Sequence, residues 1–206
     1  MRYFFVVIIA FLGIGSSVFA QAKLLNDKTI SFDVFLDAKP VGTHIFTFAQ
    51  TKNTLKVNSK MQLRAKFWGL FAVNYNHEST EYWRDGCLTG LDAVTKERGK
   101  TIRVSAQSKD KGLEIVSADG IDILQGCIKS FAYWNPSLLS GERLLNTENG
   151  ELVSVKIRTT KSPNGSQSVL IENPEADISL DYSPTNQWLS LKSQLKVGGE
   201  LHYIRQ

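Results

Sequence analysis

The sequence has few of the residues that build metal sites and cross-linked scaffolds. Its 206 residues include two cysteines, three histidines and five prolines. Two cysteines cannot form a disulfide-dense scaffold or a four-cysteine metal site. Five prolines and 15 glycines are also too few for a low-complexity or disordered chain. His44, His77 and His202 are far apart and lack His-x-x-x-His spacing, so we expect no metal site.

Charge of one sign is equally scarce. Lysine and arginine number 24 against 20 acidic residues, a formal net charge of +4, and no run of five like charges occurs. Because nucleic-acid binding requires a basic stripe with a reading element, no nucleic-acid partner is expected. The chain also lacks a Gly-x-Ser-x-Gly elbow and a glycine-rich phosphate loop. We therefore predict no catalytic residues and no cofactor, and we favour a non-enzymatic protein while leaving an enzyme open as the alternative.

The one long apolar run stands at the N-terminus. Arg2 precedes an apolar stretch over residues 3–14, and small residues then lead to Ala20. A charged start, a short apolar segment, and Val18 and Ala20 at the minus-three and minus-one positions are typical of a secretory signal peptide. We predict that residues 1–20 are this signal peptide, cleaved after Ala20.

An uncleaved membrane anchor is the alternative for this segment. A bilayer span needs roughly 20 apolar residues, and this stretch is shorter. Gln21 in place of cysteine excludes bacterial lipidation at the predicted cut. We expect residues 21–206 to form a single domain in the periplasm or outside the cell, with no transmembrane segment in the mature chain.

Export changes the interpretation of the two cysteines. In an oxidising compartment, a single pair such as Cys87 and Cys127 most often forms a disulfide, which we predict here. Two buried free thiols and a redox pair are the alternatives. A redox pair usually has Cys-x-x-Cys spacing, whereas these residues are far apart.

Alternation of apolar and polar residues dominates the rest of the chain. Over residues 55–67 nearly every second residue is apolar, and lysine, arginine, asparagine and glutamine fill the other positions. This period of two predicts a strand with one buried face. At ~3.3 Å per residue it spans about 40 Å, longer than most strands and more natural in a curved sheet or barrel. The same pattern occurs at Ile30–Leu36, Phe71–Trp83, Ile102–Ala106 and, through Leu189, Leu191, Leu195 and Val197, near the C-terminus.

Turn residues separate these runs. Residues 37–42, Asp85 with Gly86, residues 98–100, residues 161–165 and Gly198 with Gly199 are typical of hairpins. We predict an all-β fold of about ten long antiparallel strands in a curved meander, forming a barrel or half-barrel. Such a barrel is either filled by its own side chains or holds one small ligand.

Residues 126–149 break the rhythm. We predict an irregular loop with a short helix, which Pro136 could open at its first position. Phe131, Tyr133 and Trp134 place three rings in four residues of this loop. The rings could form a lid over a lumen or a plug that completes the core, and we favour the plug.

One strand carries polar residues on its apolar face. Following alternate positions from Phe71 to Trp83 adds His77, Ser79 and Glu81 to the apolar row. Buried polar groups need partners. His77 and Glu81 are either polar anchors of a ligand site or structural groups bonded to neighbouring segments.

Several of these segments resemble an uncharacterised family of secreted bacterial proteins. The resembling stretches are residues 32–37 and 39–42, His44, Glu81, Trp83, residues 85–88, Cys127, the loop motif over residues 130–136, residues 144–146 and Gly150. The resemblance implies a secreted domain of unknown function. Residues 37–42 and 195–203 are similar, at the level of fold, to periplasmic half-barrel lipoprotein carriers, which bind acyl chains or glycolipids.

The leading hypothesis is a periplasmic barrel that binds an apolar or amphipathic small molecule, a lipid-like partner. The candidate ligand-binding residues are Phe46, Tyr75, His77, Glu81, Tyr133 and Trp134. The alternative is a filled barrel that acts as a non-enzymatic envelope structural or protein-interaction module. Its exposed face would be the basic row Lys56, Lys60, Arg64 and Lys66. The sequence does not identify a protein partner or an oligomeric state.

Overall fold

Strand is the dominant element of the structure, a computed structural model that describes residues 29–67, 71–195 and 199–206. The predicted signal peptide and the turn residue Gly198 lie outside the described residues. Fifteen strands occur in the described part of the chain: β1 Thr29–Leu36, β2 Lys39–Thr51, β3 Thr54–Phe67, β4 Phe71–Arg84, β5 Cys87–Glu97, β6 Lys100–Lys109, β7 Gly112–Ser117, β8 Gly120–Leu124, β9 Arg143–Leu145, β10 Leu152–Ser154, β11 Lys156–Lys161, β12 Gln167–Glu172, β13 Asp177–Tyr182, β14 Trp188–Gln194 and β15 Glu200–Arg205.

Thirteen of these strands form one antiparallel sheet in the order β11-β12-β13-β14-β15-β1-β2-β3-β4-β5-β6-β7-β8. Strands that follow one another in sequence are neighbours, and β15 pairs with β1 through partners such as Phe32 and Arg205. The all-β prediction and the meander are confirmed. The strands outnumber the roughly ten expected because β11 to β15 are only six or seven residues long.

Tight turns reverse the direction of the chain between successive strands. Asp37 and Ala38 connect β1 to β2, and Arg98 and Gly99 connect β5 to β6, each pair with positive φ at both residues. Two such residues make the hairpin turn whose twist matches that of the flanking strands. Because the strands are antiparallel throughout, these two turns and residues 173–176 between β12 and β13 lie at the same end of the sheet. We call it the open end.

The buried face follows the predicted alternation in most strands. In β3, Val57, Ser59 and Met61 are buried and Lys60 is exposed. The prediction is wrong at Leu189, which is 40% exposed although Leu191 is buried. The pairing of β13 with β14 skips Leu189, since Tyr182 lies opposite Trp188 and Asp181 lies opposite Ser190. This bulge turns Trp188 inward and Leu189 outward.

Residues 126–149, which we call the plug, pack inside the curved sheet. The disulfide between Cys87 and Cys127 joins the start of the plug to the start of β5, so the disulfide prediction is confirmed. The backbone N–H of Leu88 donates to the Ile128 carbonyl at 2.8 Å. The plug therefore enters at the end opposite the open end, beside the β4–β5 turn.

The plug has little regular structure of its own. A three-residue 3₁₀ helix, Pro136–Leu138, begins at the predicted proline, and the Asn135 side chain accepts a hydrogen bond from the Ser137 backbone N–H at 3.0 Å. Leu144 and Leu145 of β9 are fully buried. Within the described residues, no helix is long and apolar enough to cross a membrane.

Candidate ligand-binding cavity

The space between the plug and the open end is a cavity of about 480 Å³. This volume lies in the range of small-molecule sites, roughly 300–1,000 Å³. The lining side chains come from β1 to β5, from β10, from β13 to β15, from the plug and from residues 173–176. Leu36, Arg98, Asn173 and Glu175 line it beside the turns of the open end, and we call that side the mouth.

Aromatic residues of the plug form the floor. The Tyr133 ring lies 5.7 Å from Trp188 and 6.0 Å from Phe131, centroid to centroid. The Tyr182 hydroxyl donates to the Tyr133 carbonyl at 2.8 Å. These contacts fix the floor to β13 and β14, so the rings close the inner end of the cavity.

Apolar side chains make up much of the wall. Phe46, Met61, Leu191 and Leu201 line the cavity from four different strands. The Tyr203 hydroxyl donates to the Met61 sulfur at 3.0 Å. Phe46 is 5% exposed and Leu191 is 3% exposed, so these wall residues are also part of the hydrophobic core.

His44 lies on this wall with one nitrogen unpartnered. It is 6% exposed, its ring centroid is 4.2 Å from that of Phe46, and its Nε2 is 2.7 Å from the Ser59 hydroxyl oxygen. Its Nδ1 is buried and has no hydrogen-bond partner. Burial, with a smaller effect of the nearby His77, lowers the pKa of His44 to about 3. The ring is therefore neutral at physiological pH and offers a free hydrogen-bonding position.

His77 is held between a strand and the plug. Its Nδ1 is 2.9 Å from the Thr95 hydroxyl oxygen, and its Nε2 is 3.2 Å from the Thr147 hydroxyl oxygen. Burial lowers the pKa of His77 to about 4, although the neighbouring Glu78 acts in the opposite direction. Both ring nitrogens have partners, so His77 is a neutral polar group that connects β4 and β5 to the plug.

Glu81 is buried deeper on the same strand. Its Oε2 accepts hydrogen bonds from the Trp83 indole N–H and from the Ser130 hydroxyl, both at 2.9 Å. Burial raises the pKa of Glu81 to about 7, and the two hydrogen bonds oppose this rise. In the described structure these partners are neutral, and Glu81 is the link between β4 and the first residues of the plug.

Glu148 brings a second carboxyl to the cavity. It lines the wall beside Tyr75 and Glu97. Burial raises the pKa of Glu148, the Tyr75 hydroxyl opposes this rise, and the nearby Glu97 raises the pKa further. The Tyr75 hydroxyl reaches no partner at standard hydrogen-bond geometry, so its effect on the carboxyl is that of a close polar neighbour. Glu148 still shows partial exposure because its side chain faces the cavity.

Five of the six predicted ligand-binding residues line the cavity: Phe46, Tyr75, His77, Glu81 and Tyr133. Trp134 points elsewhere, with its ring 5.5 Å from Phe48 and 5.8 Å from Trp83, and it belongs to the packed end of the plug. Whether any of these residues contacts a ligand stays a prediction.

Sequence reasoning missed several cavity residues. His44 is on the same face of β2 as Phe46, so alternation could have placed it in the site. From the sequence, His44 was considered as a metal ligand and as part of the family resemblance. Glu148 lies in the irregular segment, where no periodicity indicates which side chains turn inward. Among the described residues, no three His, Cys, Asp or Glu side chains come together as metal ligands.

The basic row on the outer face of β3 is partly neutralised. Lys60 forms an ion pair with Glu78 at 3.2 Å, and the Lys56 ammonium lies 5.8 Å from the centroid of the Tyr82 ring. Arg64 is exposed. The side chain of Lys66, the fourth member of the predicted row, lies outside the described residues. Between Lys56 and Arg64 the outer face of β3 is a mixed polar surface, in which Asn58 and Gln62 separate the cationic residues.

The fold and the cavity define the protein as an all-β, barrel-like domain with an interior plug. The chain belongs to the family described as Domain of unknown function (DUF6134), whose model matches residues 32–206. The loop motif over residues 130–136 and the relation to lipoprotein carriers stay predictions. No protein with a curated description matches the chain in sequence.

A solved structure supports the architecture. The chain is similar to the crystal structure of a β-barrel-like protein of domain of unknown function DUF1849 from Brucella abortus, with a TM-score of 0.60 and 12% sequence identity. The similarity covers 86% of this chain and 94% of the Brucella protein. At this identity it establishes the fold alone.

Proposed function

We propose that the protein is an exported, non-enzymatic binding protein that holds one amphipathic small molecule in its cavity. The observation that carries the proposal is the half-filled interior. The plug occupies one end of the curved sheet, and a cavity of about 480 Å³ remains at the other. A domain that needed only a packed core would gain by closing such a space, because burying apolar surface away from water is favourable.

The lining supports an amphipathic ligand. Most small-molecule sites combine apolar walls with a few placed polar groups. Here Phe46, Met61 and Leu191 supply apolar surface, and the unpartnered His44 Nδ1 supplies a polar position. A buried polar atom without a partner is costly, and a hydroxyl or carbonyl group of a ligand would relieve that cost.

Export is part of the proposal. The N-terminal sequence has the pattern of a signal peptide. The disulfide between Cys87 and Cys127 is of the kind that forms in oxidising compartments such as the bacterial periplasm. A periplasmic location would expose the cavity to lipids and their fragments.

Native mass spectrometry of protein from a periplasmic extract, before and after solvent stripping, tests the proposal. We expect a mass above that of the processed chain that falls to the bare mass on stripping, and fluorescence gain from a lipophilic dye by the stripped protein. Bare mass from the start together with no dye fluorescence would contradict the proposal.

Two variants of β14 locate the dye. Ser193 is buried and lines the cavity, whereas its neighbour Lys192 is exposed. Ser193→Phe should fill the cavity and weaken dye binding by about tenfold, and Lys192→Phe should leave binding unchanged. Ala176→Phe, in the turn at the mouth, tests the same point if Ser193→Phe does not fold.

A further inference from the structure

The charges on the cavity wall are unbalanced. The acidic lining residues on which the balance depends are Glu81, Glu97 and Glu148, and among the described lining residues Arg98 is the one cationic side chain. Glu175 also lines the mouth, but it interacts with another group. The Arg98 Nε is 3.4 Å from the Glu97 Oε1, so its charge is directed toward a neighbouring carboxylate at the rim. The wall therefore carries an excess of carboxyl groups.

The carboxyl groups are placed at two depths. Glu97 and Glu148 are close enough to interact and lie with Tyr75 on the mouth side, since Glu97 is opposite Tyr75 in the β4–β5 pairing and next to the β5–β6 turn. Glu81 is deep, where neutral donors hold it. Glu97 and Glu148 are thus the acidic groups on the mouth side, and Arg98 is the one described cationic lining residue beside them.

Apart from Arg98 at the rim, the described part of the cavity wall provides no positive charge. His44 and His77 are buried on the wall and neutral at physiological pH. The unpartnered Nδ1 of His44, on a ring that is 6% exposed, is an independent indication that the cavity is built for an occupant. An anionic head group inside this wall would lose hydration without gaining a counter-charge.

We propose that the cavity selects a cationic, amine-bearing amphiphile, with its head group at Glu148 and Glu97 near the mouth and its apolar chain against Phe46, Met61 and Leu191. This inference rests on the proposed function, because it assigns the head group of the same ligand. The bound ammonium would donate hydrogen bonds to the Glu148 carboxylate and stabilise its ionised form. A carboxylate-headed amphiphile of equal length would be repelled by the same groups.

Three probes with one chain length separate the effects: decylammonium, neutral decanol and decanoate. Displacement of the lipophilic dye from the stripped protein, at low salt and about pH 8, gives their affinities. We expect decylammonium to bind about tenfold more tightly than decanoate, with decanol between them, and the difference to shrink at high salt.

Substitutions of lining residues test whether the carboxyl groups of the cavity cause the preference for decylammonium. Glu148→Gln should reduce the preference for decylammonium over decanoate several-fold and leave decanol unchanged. Glu151→Gln, an exposed residue just after the plug, is the matched control and should change none of the three affinities. Glu97→Gln serves the same purpose at the rim if Glu148→Gln does not fold.

The outcomes distinguish this inference from the function on which it rests. If decanol and the dye bind but decanoate binds as tightly as decylammonium, the charge preference is refuted and the binding function stands. If neither decanol nor the dye binds, the binding function itself fails.

Discussion

The Glu81 carboxyl is buried between β4 and the plug, where it has no cationic partner among the described residues and accepts hydrogen bonds from Trp83 and Ser130. Neutral donors stabilise an ionised carboxyl less than an opposite charge does. Burial therefore dominates and raises the pKa of Glu81 to about 7. Glu81 joins β4 to the plug, and the cost of burying its carboxyl rises with pH as the carboxyl ionises.

Glu81→Gln tests this cost. Between pH 4.5 and about 7 the carboxyl is protonated in the folded protein and ionised in the unfolded chain. Its contribution to the free energy of unfolding therefore falls as the pH rises through this range. Glutamine keeps an oxygen acceptor and does not titrate. Relative to wild type, the variant should gain on the order of 3 kcal/mol between about pH 5 and about pH 8.

Urea unfolding at the two pH values measures that difference. Glu78→Gln is the matched control, because Glu78 is on the outer face of the same strand in an exposed ion pair with Lys60. If the free energy of unfolding changed with pH equally in Glu81→Gln and in wild type, the Glu81 carboxyl would be ionised in the folded protein throughout the range.

At the scale of elements, the disulfide fixes where the plug enters the sheet. Cys87 begins β5, and Cys127 is the second residue of the plug. Their backbones stay together for one more residue, where Leu88 donates to the Ile128 carbonyl. The cross-link closes a loop that contains β5 to β8, so it links the position of the plug to four of the thirteen strands of the sheet.

Replacing both cysteines with serine should destabilise the protein. The disulfide reduces the conformational entropy of the unfolded chain, and for a sequence separation of 40 residues this stabilises the folded state by on the order of 4 kcal/mol. The double variant should lose that stabilisation. Chemical denaturation of the double variant and of oxidised wild type measures it, and reduced wild type should behave like the variant. Equal stability of all three would show that the packing of the plug alone holds it in place.

On the scale of the whole molecule, the two ends of the described chain meet in the sheet. β15 pairs with β1, and the Gln206 backbone N–H donates to the Ser31 carbonyl at 3.0 Å. The sheet edges are instead β8 and β11, strands that are separated in sequence by the plug and the β9–β10 hairpin. The first and last described strands, β1 and β15, are therefore neighbours inside the sheet and do not form its edges.

A circular permutant should therefore fold. Joining Gln206 to Thr29 through about six glycine and serine residues, and opening the chain between Pro163 and Asn164 in the exposed β11–β12 turn, keeps every strand pair. We expect native-like far-UV circular dichroism and one cooperative unfolding transition. Deleting β15 from the unpermuted chain should abolish that transition. A permutant that does not unfold cooperatively would contradict the pairing of β15 with β1.

Local patterns determined the strands and turns. The alternation through Val57, Ser59 and Met61 depends only on the side-chain period of a strand, and the turn at Arg98 and Gly99 depends on local backbone preferences. The pattern failed at Leu189 because a bulge is set by the partner strand. Four of the candidate cavity residues, Phe46, Tyr75, His77 and Glu81, could be predicted because the alternation within a strand shows which of its side chains face inward. Tyr133 was predicted from the cluster of aromatic rings in the loop.

Only the tertiary structure decided how the plug packs inside the sheet and which of its side chains face the cavity. That Ser130 meets Glu81, that Thr147 meets His77 and that Glu148 faces the cavity depend on how an irregular segment folds across strands far from it in sequence. By itself the sequence determined an all-β chain with one buried face and a single pair of cysteines. Only the long-range packing of the plug decided that a cavity remains at the open end. The sequence could not show this, because irregular segments have no period from which their inward side chains can be read.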